Sequence, residues 1–259
     1  MGAFQATCLL LIFCAALSWD HAEGIVSVDY IDRYAGIAEF PWQVSIRIGP
    51  WASSHGCHGV IISKNWILTT ATCLKRVASP MIATCTITFE TGIVYEADAQ
   101  IYHPGFDETT NSNDIVAVKT KFDMNFSDFT RSIRLTETPI APNTFGRLAG
   151  LGRTQYAKYT DTLRMRVAEM SVIDREVCRS LFTQKKVSLG KDQFCAGAPN
   201  VGACGGDEGG GFVWQNQARS NQDELVGLVN NNFCALNNFP NAFTNIYHHR
   251  EWIRNVTEI

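Results

Sequence analysis

An all-β barrel or sandwich with one terminal helix is the fold class this sequence predicts, and three observations point to it. Short stretches with strand character recur between turn signals: PWQVSIRIG, GVIIS, WILTT, TCTITF, DIVAVKT, LRMRVAEM and ELVGLV. Helical periodicity is almost absent ahead of the C-terminal end. There, NIYHHREWIRNV at 245–256 sets Ile246, Trp252, Ile253 and Val256 along one face of a helix. With 259 residues and 46% hydrophobic content, the chain can bury a full core as one large domain or two small lobes. A formal net charge of -3, with no run of like charges, argues against nucleic acid as a partner.

Taken in chain order, residues 1–18 (MGAFQATCLLLIFCAALS) carry no charged side chain and hold an apolar run from Cys8 to Leu17. That run is too short to span a bilayer and reads as a secretory signal. Ala16 and Ser18 offer small residues for cleavage after Ser18, while Ala22 and Gly24 offer a second site that would free Ile25. No later segment is apolar enough for a membrane span, so a secreted, extracellular product is expected.

The strands follow. Loss of Cys8 and Cys14 with the signal leaves Cys57, Cys73, Cys85, Cys178, Cys195, Cys204 and Cys234, an odd number in an oxidising compartment. In TCTITF, Cys85, Ile87 and Phe89 alternate with threonines, which turns Cys85 inward as a buried thiol, with a disulfide-linked dimer as the alternative. The His and Cys residues lack zinc-like spacing, so no metal is expected. Asn125 in NFS and Asn255 in NVT are glycosylation sequons. Farther on, GACGGDEGGGF at 202–212 holds six glycines among eleven residues around Asp207 and Glu208. Glycine this dense brings backbone amides close together, as in anion pockets.

From about Ile25 onward the segments EFPWQVSI, GCHGVIISKNWILTTATC, NDIVAVKT, FCAGAPNVGACGGDEGGG and YHHREWI make the chain similar to the chymotrypsin/trypsin family of secreted serine proteases. The resemblance implies two packed six-stranded antiparallel β-barrels, the first at about 25–135 and the second at about 145–244, then a C-terminal helix at about 245–257. It also implies disulfides Cys57–Cys73, Cys178–Cys195 and Cys204–Cys234, with Cys85 left over. No cofactor is implied.

Compared with that family's pattern, TAAHC reads TTATC here, with Thr72 at the histidine position, and GDSGG reads GDEGG, with Glu208 at the serine position. Asp114 matches the family aspartate. A hydroxyl nucleophile needs an imidazole base, and Thr72 and Glu208 supply neither role, so the resemblance implies a non-catalytic homologue. Gly206 and Glu208 are the expected remnant of the oxyanion hole, with Glu208 sealing it and a Glu208–His58 pair as one arrangement. Gly202 at the pocket floor, Asn241 at its wall, and Asn230, Asn231 and Asn232 along the docking strand replace the residues that would recognise a peptide. Asp114, without a histidine, is expected to take the Thr72 hydroxyl, local amides and Asn230 as donors. Asp207 pairs either with a freed Ile25 amine or with His55, the latter preferred. Such homologues act as cofactors, decoys or adaptors toward extracellular proteins, proteases among them, in immune or reproductive cascades. The alternative is an active secreted endopeptidase, or a hydrolase working by displaced chemistry through Glu208 and His58.

Overall fold

A computed structural model describes residues 33–36, 38–48, 54–75, 80–84, 92–151, 165–199, 201–216, 222–231 and 239–259. Among them fourteen strands and three helices follow in order. The first eight strands are β1 (Arg33–Tyr34), β2 (Gln43–Ile48), β3 (Ser54–Ile61), β4 (Trp66–Thr69), β5 (Met81–Thr84), β6 (Val94–Tyr102), β7 (Val116–Thr120) and β8 (Arg134–Leu135). The remaining six are β9 (Phe145–Gly150), β10 (Arg166–Ile173), β11 (Gln193–Gly197), β12 (Gly211–Asn216), β13 (Gln222–Asn231) and β14 (Asn241–Asn245). Helix α1 (Ala71–Leu74) follows β4, α2 (Arg175–Gln184) follows β10, and α3 (Ile246–Thr257) ends the chain.

Strands β2-β3-β4-β7-β6-β5 close on themselves as one antiparallel barrel. The second runs β10-β11-β14-β13-β12-β9 and closes through a β10–β9 ladder, while β1 joins β10 and β8 runs parallel to β13 at its margin. The expected two-barrel fold with a C-terminal helix is therefore present. β-Branched residues on the inward face drive the first closure: Val44, Ile46, Ile67, Ile82 and Val116 are fully buried. In the second barrel Phe194, Phe212 and Phe243 form a triangle with ring centroids 4.9 to 6.0 Å apart. Burying each ring contributes about 1.5–3 kcal/mol.

One of the hydrophobic clusters spans both barrels. Val44, Val60 and Ile67 of the first pack in the same cluster as Val213, Leu225 and Leu228 of the second, with Ile246 and Ile253 of α3. Gln43 Nε2 also donates across to the Ala149 carbonyl at 3.1 Å. The terminal helix begins on Asn245, whose side chain accepts from the His248 amide, and it packs on β13, β7 and β8. As expected, Ile246 and Ile253 are buried, with Trp252 and Val256 packed beside them.

Two helices, the short α1 and the longer α2, go beyond the single C-terminal helix the sequence predicts. Asp174 caps α2 by accepting from the Glu176 and Val177 amides, and Cys178 and Phe182 are buried one turn apart. A Cys178–Cys195 disulfide then staples α2 to β11, and a Cys57–Cys73 disulfide staples β3 to α1. Cys204 is also disulfide-bonded; Cys234, its expected partner, and Cys85 lie outside the described residues.

Candidate functional site

Where the barrels meet, the loop at 202–210 is tied to both. The Asp207 amide donates to the Cys204 carbonyl, and the Gly210 amide to the Asp207 carbonyl, which folds the loop into two successive turns. Gly206 and Gly209 take φ of 101° and 76°, a left-handed conformation that suits glycine. Its anchor to the first barrel is main-chain: the His58 amide donates to the Glu208 carbonyl at 2.8 Å. Its anchor to the second is the Gly209 amide, which donates to the Val229 carbonyl at 2.9 Å.

Within that turn the Glu208 side chain folds back on its own loop. The Gly206 amide donates to Glu208 Oε2 at 2.7 Å, a charge-assisted bond. The expected Glu208–His58 side-chain pair does not form, because both ring nitrogens of His58 are committed to the backbone. His58 Nδ1 lies 3.1 Å from the Val44 carbonyl and must carry the proton; Nε2 accepts from the Leu151 amide at 2.9 Å. The imidazole is thus fixed as a neutral tautomer. Complete burial, reinforced by the nearby His55, holds its pKa well below the ordinary value.

Asp207 is fully buried, with Oδ2 accepting from the Cys204 amide at 3.0 Å. His58 Nε2 stands 3.9 Å from Asp207 Oδ1, and the neutral ring makes this a polar contact rather than an ion pair. His55 sits one layer away, its ring centroid 4.4 Å from that of His58. Its Nε2 donates to the Gly206 carbonyl at 2.9 Å, and Nδ1 shares a hydrogen bond with Ser45 Oγ at 2.7 Å. His55 therefore reaches the residue just before Asp207. Ile25, the other partner expected for Asp207, lies outside the described residues.

Across the interface, Asp114 precedes β7 and is fully buried. Thr72 clamps both its oxygens: the Thr72 amide donates to Oδ1 at 2.9 Å and the hydroxyl to Oδ2 at 2.7 Å. Burial outweighs these bonds and pushes the Asp114 carboxyl up to about 6. The Thr72 hydroxyl and amide take the part expected of them, but Asn230 does not. Its Nδ2 donates instead to the Asn111 carbonyl and to Thr244 Oγ1, each at 3.0 Å. The Thr244 hydroxyl in turn donates to the Asp114 main-chain carbonyl at 3.0 Å. Asn230 thus supports Asp114 at one remove, through a threonine that sequence reasoning missed. Thr244 follows Phe243 in a buried strand, and its period of two gave no sign that the hydroxyl would turn toward the other barrel.

At the start of that loop, Asn241 of β14 is fully buried against the segment that carries Gly202 and Ala203. The Ala203 amide donates to Asn241 Oδ1 at 2.9 Å, and Asn241 Nδ2 donates to the Ala203 carbonyl at 3.2 Å. One side-chain amide thereby pairs with both backbone groups of Ala203, and Gly202 is buried next to it. The Asn231 side chain and all of Asn232 lie outside the described residues.

The family model described as Trypsin matches residues 33–253, which takes in every strand and all but the last residues of α3. The chain belongs to the trypsin family. Trypsin iota of Drosophila melanogaster is 30% identical over 256 residues, covering 96% of this chain and 94% of the relative. Trypsin delta of the same organism is 26% identical over 221 residues, covering 84% and 83%. Trypsin of Phaedon cochleariae is 28% identical over 245 residues, covering 87% and 86%. The similarity to these proteins therefore runs along most of their length and takes in both barrels. No helix among the described residues is long and apolar enough to cross a membrane.

Proposed function

We propose that this chain is a secreted, non-catalytic member of the family that works by binding, as a cofactor, decoy or adaptor toward extracellular proteins of a proteolytic cascade, in immune defence or in reproductive fluid. One observation carries the reading: the Glu208 carboxylate occupies the Gly206 amide. A hydrolase of this fold needs that amide free to meet an oxygen on which negative charge develops, and losing one such donor slows turnover about 10²–10³-fold. Here a resident anion already holds it. The residue that would have to supply the attacking oxygen is the same Glu208, which has no hydroxyl.

The histidine side of the chemistry points the same way. Thr72 stands where Asp114 would orient an imidazole, and a threonine hydroxyl donating to a carboxylate accepts no proton near neutral pH. His58 is a histidine close to the loop, but its two nitrogens are spent on Val44 and Leu151. Loss of the nucleophile or the base lowers turnover by about six orders of magnitude. Asn241, at the position of a pocket-wall glycine in the family pattern, bonds to Ala203, which supports a pocket closed to a substrate side chain. The relatives are named trypsins, and what this chain shares with them is the scaffold.

The test is covalent labelling. An alkyl fluorophosphonate reacts with a hydroxyl activated to displace fluoride, so the purified chain is expected to keep its intact mass under conditions that label trypsin fully. A stoichiometric phosphonyl adduct, mapped to any residue of the cleft, would overturn the reading.

A further inference from the structure

The segment at 122–129 exposes more aromatic surface than any comparable stretch of the described residues. Phe122, Phe126 and Phe129 are 71%, 38% and 45% exposed, and they account for three of the eleven large apolar side chains that face solvent among the described residues. Each ring leaves apolar surface in water, and three such rings within eight residues of chain offer an apolar face that a covering group would stabilise. The loop beneath is rigidly held. Met124 is buried, its amide donates to the Lys64 carbonyl at 2.7 Å, and the Asn125 amide donates to the Tyr95 hydroxyl at 3.0 Å. The Ser127 amide donates to the Thr130 carbonyl, and Ser127 Oγ accepts from the Phe129 amide. Anchored in this way, the Asn125 and Ser127 side chains both stand exposed.

We infer that Asn125 carries an N-linked glycan whose first sugars lie over Phe122, Phe126 and Phe129, and that Asn255 carries none. The sequon is Asn125-Phe126-Ser127, so the acceptor amide and the patch are the same stretch of chain. Hexose rings present C–H faces of slight positive character, which suit the negative face of a phenyl ring. The covering group is thus supplied at the place that lacks cover. In the transfer, Asn125 Nδ2 bonds to the anomeric carbon of a lipid-diphosphate-linked oligosaccharide. The bond from that carbon to the phosphate oxygen breaks, the lipid diphosphate leaves with the electron pair, and the amide gives up one proton.

The second sequon is folded away. Asn255 and Thr257 fall in the last turn of α3, where residues two apart face different directions. Thr257 is 5% exposed, and its hydroxyl donates to the Ile253 carbonyl at 2.7 Å. The enzyme that adds the glycan must meet the asparagine and the hydroxyl together, and the helix separates them.

The inference rests on the secretion part of the proposed function, and the experiment keeps the two apart. The full chain with its own leader is expressed in animal cells, and medium and cell fractions are treated with an amidase that removes N-glycans. One downward mobility step is expected in the secreted chain, absent in Asn125→Gln and Ser127→Ala and retained in Asn255→Gln. A secreted chain with no step, or one whose step survives Asn125→Gln, overturns the inference while leaving secretion intact; an intracellular, unglycosylated chain overturns both. Retention on a phenyl matrix tests the cover. Deglycosylation should raise retention of the native chain by several-fold and leave Phe122→Ser/Phe129→Ser, which keeps the sequon, nearly unchanged. Equal retention of the native chain before and after would refute the sugar–ring packing.

Discussion

Replacing Gly209 by alanine is expected to lower the unfolding free energy by about 3 kcal/mol. A β-carbon at this position would lie 2.3 Å from the His58 carbonyl oxygen and 2.3 Å from Thr69 Oγ1. Neither neighbour can give way cheaply. The His58 carbonyl accepts from the Thr69 hydroxyl at 2.7 Å, and the His58 ring is locked between Val44 and Leu151. Backbone conformation adds to the overlap, because φ of 76° disfavours any side chain. Gly36 is the control: a β-carbon there has no neighbour closer than 3.4 Å, so Gly36→Ala should fall within about 0.5 kcal/mol of the parent. Denaturant midpoints of the two variants decide the matter. Equal midpoints would mean that the loop carrying Glu208 is not clamped between the barrels as described.

Asp114 gives the second large effect, through pH. Its carboxyl is pushed up to about 6 from an ordinary 3.8, chiefly by burial. Between roughly pH 4 and pH 6 the folded chain therefore holds a proton that the unfolded chain releases. The contribution of Asp114 to stability must fall as pH rises through that window, by about 3 kcal/mol in all, and then level off. This is opposite to a salt-bridged carboxylate, which stabilises the fold as it ionises. Asp114→Asn keeps the shape and cannot titrate, so the stability of the native chain relative to this variant should decline by about that amount from pH 4 to pH 7. Thr72→Val removes the hydroxyl that favours the ionised form, so the decline should extend to higher pH. A native-minus-Asn difference that stays flat, or that grows with pH, would show that Asp114 is ionised at no cost in the fold.

Both effects depend on how side chains turn, and this is where sequence reading was least informative. Strands with clean alternation or continuous apolar runs, such as those holding Val44 and Ile46 or Ile67 and Leu68, could be placed from pattern alone. β6 could not: in VYEADAQIY only Tyr95 is fully inside, so the period of two is blurred by its exposed outer face. α2 had its signal in Asp174 followed by Val177, Cys178, Leu181 and Phe182, but four apolar residues in a polar decapeptide, with Val177 facing solvent, made a weak stripe. Disulfides Cys57–Cys73 and Cys178–Cys195 followed from family resemblance and formed as expected.

At the site, residue types were legible and partners were not. The glycine density of 202–212 correctly pointed to a loop of close amides, and Glu208 meets one of them. His58 was matched to Glu208 on proximity in the fold, whereas two backbone groups, from Val44 and Leu151, claimed its ring first. A buried imidazole satisfies main-chain donors and acceptors before it is available to a side chain. Asn230 was matched to Asp114 on the same grounds, and the intervening Thr244 hydroxyl could not be seen in a one-dimensional pattern.

The most direct measurement restores the two side chains together. Thr72→His with Glu208→Ser returns an imidazole beside Asp114 and a hydroxyl to the glycine loop, and it frees the Gly206 amide. Labelling by an alkyl fluorophosphonate, which needs no deep side-chain pocket, is followed by intact mass for the native chain and the double variant. The expected result is an inert native chain and a variant labelled at least ~10³-fold faster, at the new serine. A native chain that labels as quickly as the double variant would contradict a scaffold whose chemistry ended with Thr72 and Glu208.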